Sequence, residues 1–207
     1  MTGPSSSPKT IDDEEDAMKS AVACLPKIIE RMGEPNPPSA VLVACYSDHP
    51  LVQMLRKEIG RPNFHVLGIL DASVISAVKH IKPGEKFGIV TTGKQWEPLL
   101  TDGALRVLDE IDDEAEPDCL AGVVGTGLGV LEFHDEEKDP KALMAEAAKE
   151  LVAKGATAIC LGCAGMSGLD AVISEAVNEK DTPERVVVID GVQAGVEILR
   201  ARLSQSQ

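Results

Sequence analysis

The sequence predicts an α/β fold built on mainly parallel strands flanked by helices. Short apolar runs of strand length alternate with longer segments of helical composition, which is the pattern of βαβ units. The 207 residues include one Trp, one Tyr and three Phe. The core must therefore be aliphatic, and Val, Ile, Leu and Ala with many Gly suit a parallel sheet covered by Ala-rich helices. Clusters of Pro and Gly such as "GEPNPPS" and "KPGEK" separate the segments cleanly, since Pro fixes φ and removes a donor.

Met1 to Lys9 reads as an irregular entry. A helix is predicted from Asp12 to Met32, with acidic residues in its first turn where they complement the helix dipole. Gly33 to Ser39 is a loop, and Ala40 to Cys45 a buried strand. Pro50 to Ile59 reads as a helix, with Asp48 as its cap and Pro50 in its first turn. Further along, a strand is expected over His65–Leu70, a helix over Ala72–His80, a strand over Phe87–Thr91 and a helix after "TTGKQWEPLL". A strand follows at Leu120–Gly125. The segment Pro140–Lys154, rich in Ala, Leu, Glu and Lys and closed by Gly155, is a helix. The chain then alternates strand Ala156–Leu161, helix Leu169–Asn178, strand Val186–Ile189 and helix Val192–Leu203.

Charge and cysteine content narrow the function. The formal net charge of −14 opposes nucleic acid and anionic membrane surfaces, both of which require a basic face. Acidic runs at Asp12–Asp16, Asp109–Asp118 and Glu132–Asp139 read as solvated loops and helix starts. No apolar stretch approaches the roughly 20 residues that span a bilayer. The Ser/Pro-rich and then acidic start is unlike a targeting peptide, so the expectation is a cytoplasmic protein. Five cysteines, an odd number, argue against a disulfide framework.

Two stretches have the same form. "AVLVACYS" lies over "AICLGCAG": each is a strand, a small residue, a cysteine (Cys45 or Cys163) and a turn toward a helix. All α/β proteins repeat strand–helix units, so duplication is one reading of two. Ligands of parallel sheets bind at the carboxyl ends of strands, where Cys45, Thr91, Thr92, Cys163 and Asp190 all fall. If two similar lobes face each other, the cysteines meet across a cleft. A carbon acid between them can lose a proton to one thiolate and gain one from the other thiol, since thiol pKa values lie near ambient pH. The resulting enolate needs aimed donors. Thr91 and Thr92 are candidates, with Ser47 and Asp48 after the first cysteine and Gly162, Ala164 and Gly165 around the second. No P-loop or His-rich spacing calls for a cofactor or metal; none is expected.

"VACYSDHPL", "GILDAS", "FGIVTTGKQWEPLL", "LGCAGM" and "VVVIDGV" together resemble the hydantoin/allantoin racemase branch of the aspartate/glutamate racemase superfamily, from Thr2 to about Leu199. The resemblance implies two pseudo-symmetric α/β lobes: residues 1–90 with 190–207, and residues 91–189. It implies a cofactor-independent 1,1-proton transfer on a small molecule, such as a 5-substituted hydantoin or allantoin, through Cys45 and Cys163; a homo-oligomer is one way in which a shortened first lobe would be compensated. Two departures stand out. Family members open with a strand ending in an "NPNS"-like motif, so the first lobe is expected to lack its opening strand, which puts activity in doubt. And "SDHP" replaces "GDPG", placing His49 near the cleft.

Other readings remain. Catalysis could instead be decarboxylation or cis–trans isomerisation through an enolate, or the chain could be a remnant that binds a small molecule or a partner. Cys160 and Cys163 form a CxxC, but a second one for zinc is missing and Cys160 lies within a strand. Cys24 and Cys119 read as packing or surface thiols. Asp190 reads first as a cap of the last helix, His49 as a loop residue or cap ahead of a catalytic acid, and Trp96 as packing at the pocket rim. "GTGLGV" at Gly125–Val130 is no dinucleotide loop, because no helix follows; it reads as cleft lining or a crossover between lobes.

Overall fold

The structure, a computed structural model, describes residues 3–111, 118–178 and 185–205. The expected acidic run Asp109–Asp118 falls largely outside them. The chain order is α1 (Glu14–Met32), β1 (Ala40–Val43), α2 (Pro50–Ile59), β2 (His65–Gly68), α3 (Ile69–His80), β3 (Lys86–Thr91) and α4 (Trp96–Glu110). There follow β4 (Leu120–Gly125), α5 (Pro140–Ala153), β5 (Ala156–Leu161), α6 (Asp170–Val177), β6 (Val187–Asp190) and α7 (Gly191–Gln205).

All strand pairs are parallel. The strands form a two-stranded sheet, β1–β2, and a four-stranded sheet in the order β4–β3–β5–β6. This is the expected α/β architecture of two parallel sheets flanked by helices. β3 is hydrogen-bonded to β4 on one side and β5 on the other, so the strand preceding Thr91 belongs to the four-stranded sheet. α7 packs on α3 and on β1 and β2.

Side-chain alternation along each strand divides the interior into three packed regions. In β1, Val41 and Val43 face α1 and α2, joining Ala21, Leu51, Val52 and Leu55. Leu42 faces the other way, toward a Cβ-free position at Gly195 of α7. In the large sheet, Ile89 and Cys160 face α3 and α4, while Val90, Ile159 and Leu161 face α5 and α6. α3 touches β2, β5, β6, α4 and α7; this shared helix joins both sheets through one continuous apolar region containing Leu67, Ile69, Leu70 and Ile89.

Of the differences from the sequence expectation, three beside the carboxyl edges of the sheets bear on the site. β1 ends at Val43 rather than Cys45, releasing the cysteine into the following turn. β2 ends at Gly68 and passes directly into α3 at Ile69, because an unbroken apolar run carries no periodicity that separates strand from helix. His49, not Asp48, caps α2: its Nδ1 accepts the Leu51 backbone N–H at 3.2 Å. Among the described residues, no helix is long and apolar enough to cross a membrane.

Candidate active site

Cys45 and Cys163 come from different sheets and open onto the same cavity, of about 690 Å³. Cys45 follows β1 in a tight turn closed by Ser47 N–H to Cys45 O at 3.1 Å. The turn is anchored from behind by buried Tyr46, whose hydroxyl lies 2.6 Å from Ser73 Oγ on α3. Ser73 in turn donates to Leu70 O at 3.0 Å. Cys163 follows β5 and starts a short 3₁₀ turn, Ala164–Met166.

Gly162 is what lets that second turn close on the sheet. Its N–H donates to Val90 O at 2.7 Å, and a Cβ there would lie 2.5 Å from the same oxygen. The Thr91 hydroxyl donates to Gly162 O at 3.0 Å, so its proton is committed to positioning the Cys163 turn. Thr92 is buried and lines the cavity; its carbonyl holds Gly127 N–H at 2.9 Å. Gly162, Ala164 and Gly165 also line the cavity.

Two expected binding residues lie elsewhere. Ser47 is buried in the Cys45 turn, with Oγ 3.5 Å from Cys45 Sγ; it contacts the thiol rather than the cavity. Asp48 points outward, its carboxylate 3.0 Å from Arg106 Nε on α4. That contact lacks hydrogen-bond alignment and is Coulombic. Arg106 also donates to Asp71 Oδ1 at 2.7 Å and Glu110 Oε1 at 2.8 Å. The turn gives Cys45, Tyr46 and His49 to the cavity wall, while Ser47 and Asp48 face away from it.

Asp190 caps α7 as expected, accepting from Val192 N–H at 2.8 Å and Gln193 N–H at 3.2 Å. Its other oxygen accepts from Ser167 Oγ at 2.6 Å and Gly168 N–H at 3.1 Å, which ties the segment after Cys163 to the last helix. Trp96 is buried and lines the cavity, and Val130 brings the end of the "GTGLGV" stretch to its wall. Tyr46, Ser73 and Arg106 carry no local motif. They become visible only when α3 and α4 are packed against the first turn.

The thiols differ electrostatically. Burial raises the pKa of Cys163, opposed by the Gly165 and Met166 N–H groups; Gly165 N lies 3.4 Å from Sγ. Burial also raises Cys45, opposed by the Ser47 hydroxyl, and negative charge on Cys163 raises it further. One thiolate therefore disfavours a second. Cys160 is fully buried and pushed up to about 12, which keeps it a thiol. Among the described residues, no cluster of three or more His, Cys, Asp or Glu has the arrangement of a metal site.

The cavity walls are unusual for so acidic a chain. Among the described residues no Asp or Glu lines them, and the charged lining residues are Lys9, Lys27 and Arg31. These belong to the N-terminal segment and α1, whereas the cysteines sit among hydroxyl, imidazole, indole and backbone groups.

The family profile described as Asp/Glu/Hydantoin racemase matches residues 1–199. The chain belongs to that family. Its membership supports a racemase role. The chain is 38% identical over 205 residues to an uncharacterized protein of Schizosaccharomyces pombe, covering 96% of this chain and 76% of the relative. It is 30% identical over 203 residues to a hydantoin racemase of Rhizobium meliloti, covering 98% and 75%. In three dimensions it resembles an allantoin racemase from Pseudomonas fluorescens with a TM-score of 0.77 at 24% identity, covering 98% of this chain and 77% of that one. That likeness shows the family's two-lobe fold.

Proposed function

We propose that the protein racemises a hydantoin-like cyclic ureide, such as a 5-substituted hydantoin or allantoin, without a cofactor, with Cys45 and Cys163 as the acid–base pair. The observation that carries this reading is that the two thiols, from separate sheets, share one cavity. The Cys163 thiolate, held by the Gly165 N–H, takes the proton from C5 of the ring. The electron pair moves into the adjacent carbonyl as an enolate, and the Cys45 thiol returns a proton to the opposite face. The cycle leaves Cys163 as thiol and Cys45 as thiolate, the starting state for the other enantiomer.

The cavity walls favour a ring over a free amino acid. A zwitterion brings an ammonium group that must be paired when desolvated, and among the described residues no carboxylate lines the cavity. A ring flanked by amide N–H and C=O groups needs only hydrogen bonds, which the hydroxyl, imidazole and backbone groups around the thiols can provide.

The test is to incubate one enantiomer of a 5-substituted hydantoin, and separately of allantoin, in deuterated buffer. Optical rotation should decay with deuterium appearing at C5. Cys45→Ser and Cys163→Ser should each abolish racemisation, with one variant retaining exchange without inversion. Retention of rotation and of protium at C5 with both substrates would end the reading.

A further inference from the structure

His49 is 2% exposed yet lines the cavity that holds both cysteines. Its ring is fixed at one nitrogen. Nδ1 accepts the Leu51 N–H at the start of α2, at 3.2 Å, and a ring nitrogen that accepts must carry its lone pair in the plane and no proton. The proton of the neutral ring is therefore on Nε2. Among the described residues, Nε2 has no hydrogen-bond partner within the protein. Burial lowers the His49 pKa, and the helix N-terminus also disfavours a cation, so the ring is neutral near pH 7.

We propose that His49 Nε2–H is the donor that receives the enolate oxygen, an electrophile shared by both directions of proton transfer. The proposal rests on the racemase reading above and adds to it the residue that stabilises the intermediate. A neutral imidazole fixed at a helix N-terminus is suited to this work. It polarises a carbonyl without transferring its own proton, and it carries no positive charge that would permanently attract an anion. Thr91 cannot take this role with its hydroxyl proton, which is already donated to Gly162 O. The geometry also explains the "SDHP" turn: His49 caps α2 with one nitrogen and serves the cavity with the other.

The discriminating substitution is His49→Asn. Asn is a good helix cap, so it preserves the bond to Leu51 N–H, but it is too short to present a donor where Nε2 stands. The expected result is a kcat about 100-fold lower, with KM within a few-fold, an unchanged melting midpoint, and C5 deuterium exchange slowed equally from either enantiomer. Loss of one cysteine instead separates exchange from inversion. Rates within about threefold of the parent protein, or a loss confined to KM, overturn the proposal; ~0.65 kcal/mol is all that threefold represents. Nitrogen-15 NMR of the imidazole in the unsubstituted protein gives a second reading that needs neither turnover nor the variant's folding. An Nε2–H neutral tautomer near pH 7 supports the assignment. An Nδ1–H tautomer or an imidazolium overturns it, whether or not hydantoins prove to be the substrate.

Discussion

Thr91 Oγ1 donates to the carbonyl of Gly162 across 3.0 Å, joining the end of β3 to the residue immediately before Cys163. Both groups are buried, and the bond crosses between adjacent strands where the ladder ends. Thr91→Val preserves shape and removes the donor, leaving Gly162 O short of a partner. A loss of about 1–3 kcal/mol in denaturant unfolding is expected. Gly162→Ala should be worse, because its Cβ would stand 2.5 Å from Val90 O and the backbone at the strand end must move. Equal stability of the parent and both variants would show that this junction does not hold the turn.

Cys45, Cys160 and Cys163 should react in a fixed order. Cys163 receives a backbone N–H at 3.4 Å, Cys45 a serine hydroxyl at 3.5 Å, and negative charge on Cys163 disfavours ionisation of Cys45. Cys160 is fully buried with its thiol donating toward Ser73 O. Iodoacetamide at slightly alkaline pH, followed by peptide mass spectrometry, should modify Cys163 before Cys45 and leave Cys160 untouched until the protein unfolds. Modification of Cys45 first would show that Cys45 is the more readily ionised of the two.

Much of this arrangement could be read from the chain, and the limits have physical causes. The strand–helix alternation and the cysteines at strand ends are local features, and they emerge as expected. The exact handover from β2 to α3 does not, because Val66, Leu67, Ile69 and Leu70 are buried in either conformation. Asp48 is the favoured cap by residue type, and only the path of the turn decides that His49 caps α2 and faces inward. Arg106 is invisible as a positioning residue for a simpler reason: its partners Asp48 and Asp71 are far away in sequence, and nothing local to α4 marks it.

Stability should fall at alkaline pH through the buried acids. Cys160 is pushed up to about 12 from 9.0 by burial, and Tyr46 is raised well above its ordinary value, also by burial. Above the unfolded-state pKa of each group, the unfolded chain has lost a proton that the folded chain keeps. The folded state then binds more protons, so each group's contribution is complete below its unfolded pKa and is lost as pH rises toward the folded one. Cys160 alone should contribute a slope of about −1.4 kcal/mol per pH unit between roughly pH 9 and 12. Cys160→Ala should show a shallower decline than the parent in urea titrations across that window. Parallel declines would mean that the thiol titrates normally.

Arg106 should act on the Cys45 turn without touching the cavity. It brings together Asp48 from that turn, Asp71 from the first turn of α3, and Glu110 one helical turn along its own helix. Asp71 is the costly partner, since it is buried and loses its hydrogen-bonded counter-charge when the guanidinium is removed. Arg106→Met should cost about 2–3 kcal/mol in unfolding free energy. Lysine has a single charged centre and cannot hold three carboxylates in a planar fork, so Arg106→Lys should recover only part of that loss. If the Coulombic contact with Asp48 restrains the turn, Asp48→Asn should leave stability within about 0.5 kcal/mol, as expected for a half-exposed ion pair, while increasing the rate at which iodoacetamide reaches Cys45. An unchanged Cys45 rate in Asp48→Asn would assign Arg106 to holding α3 and α4 together, with no influence on the Cys45 turn.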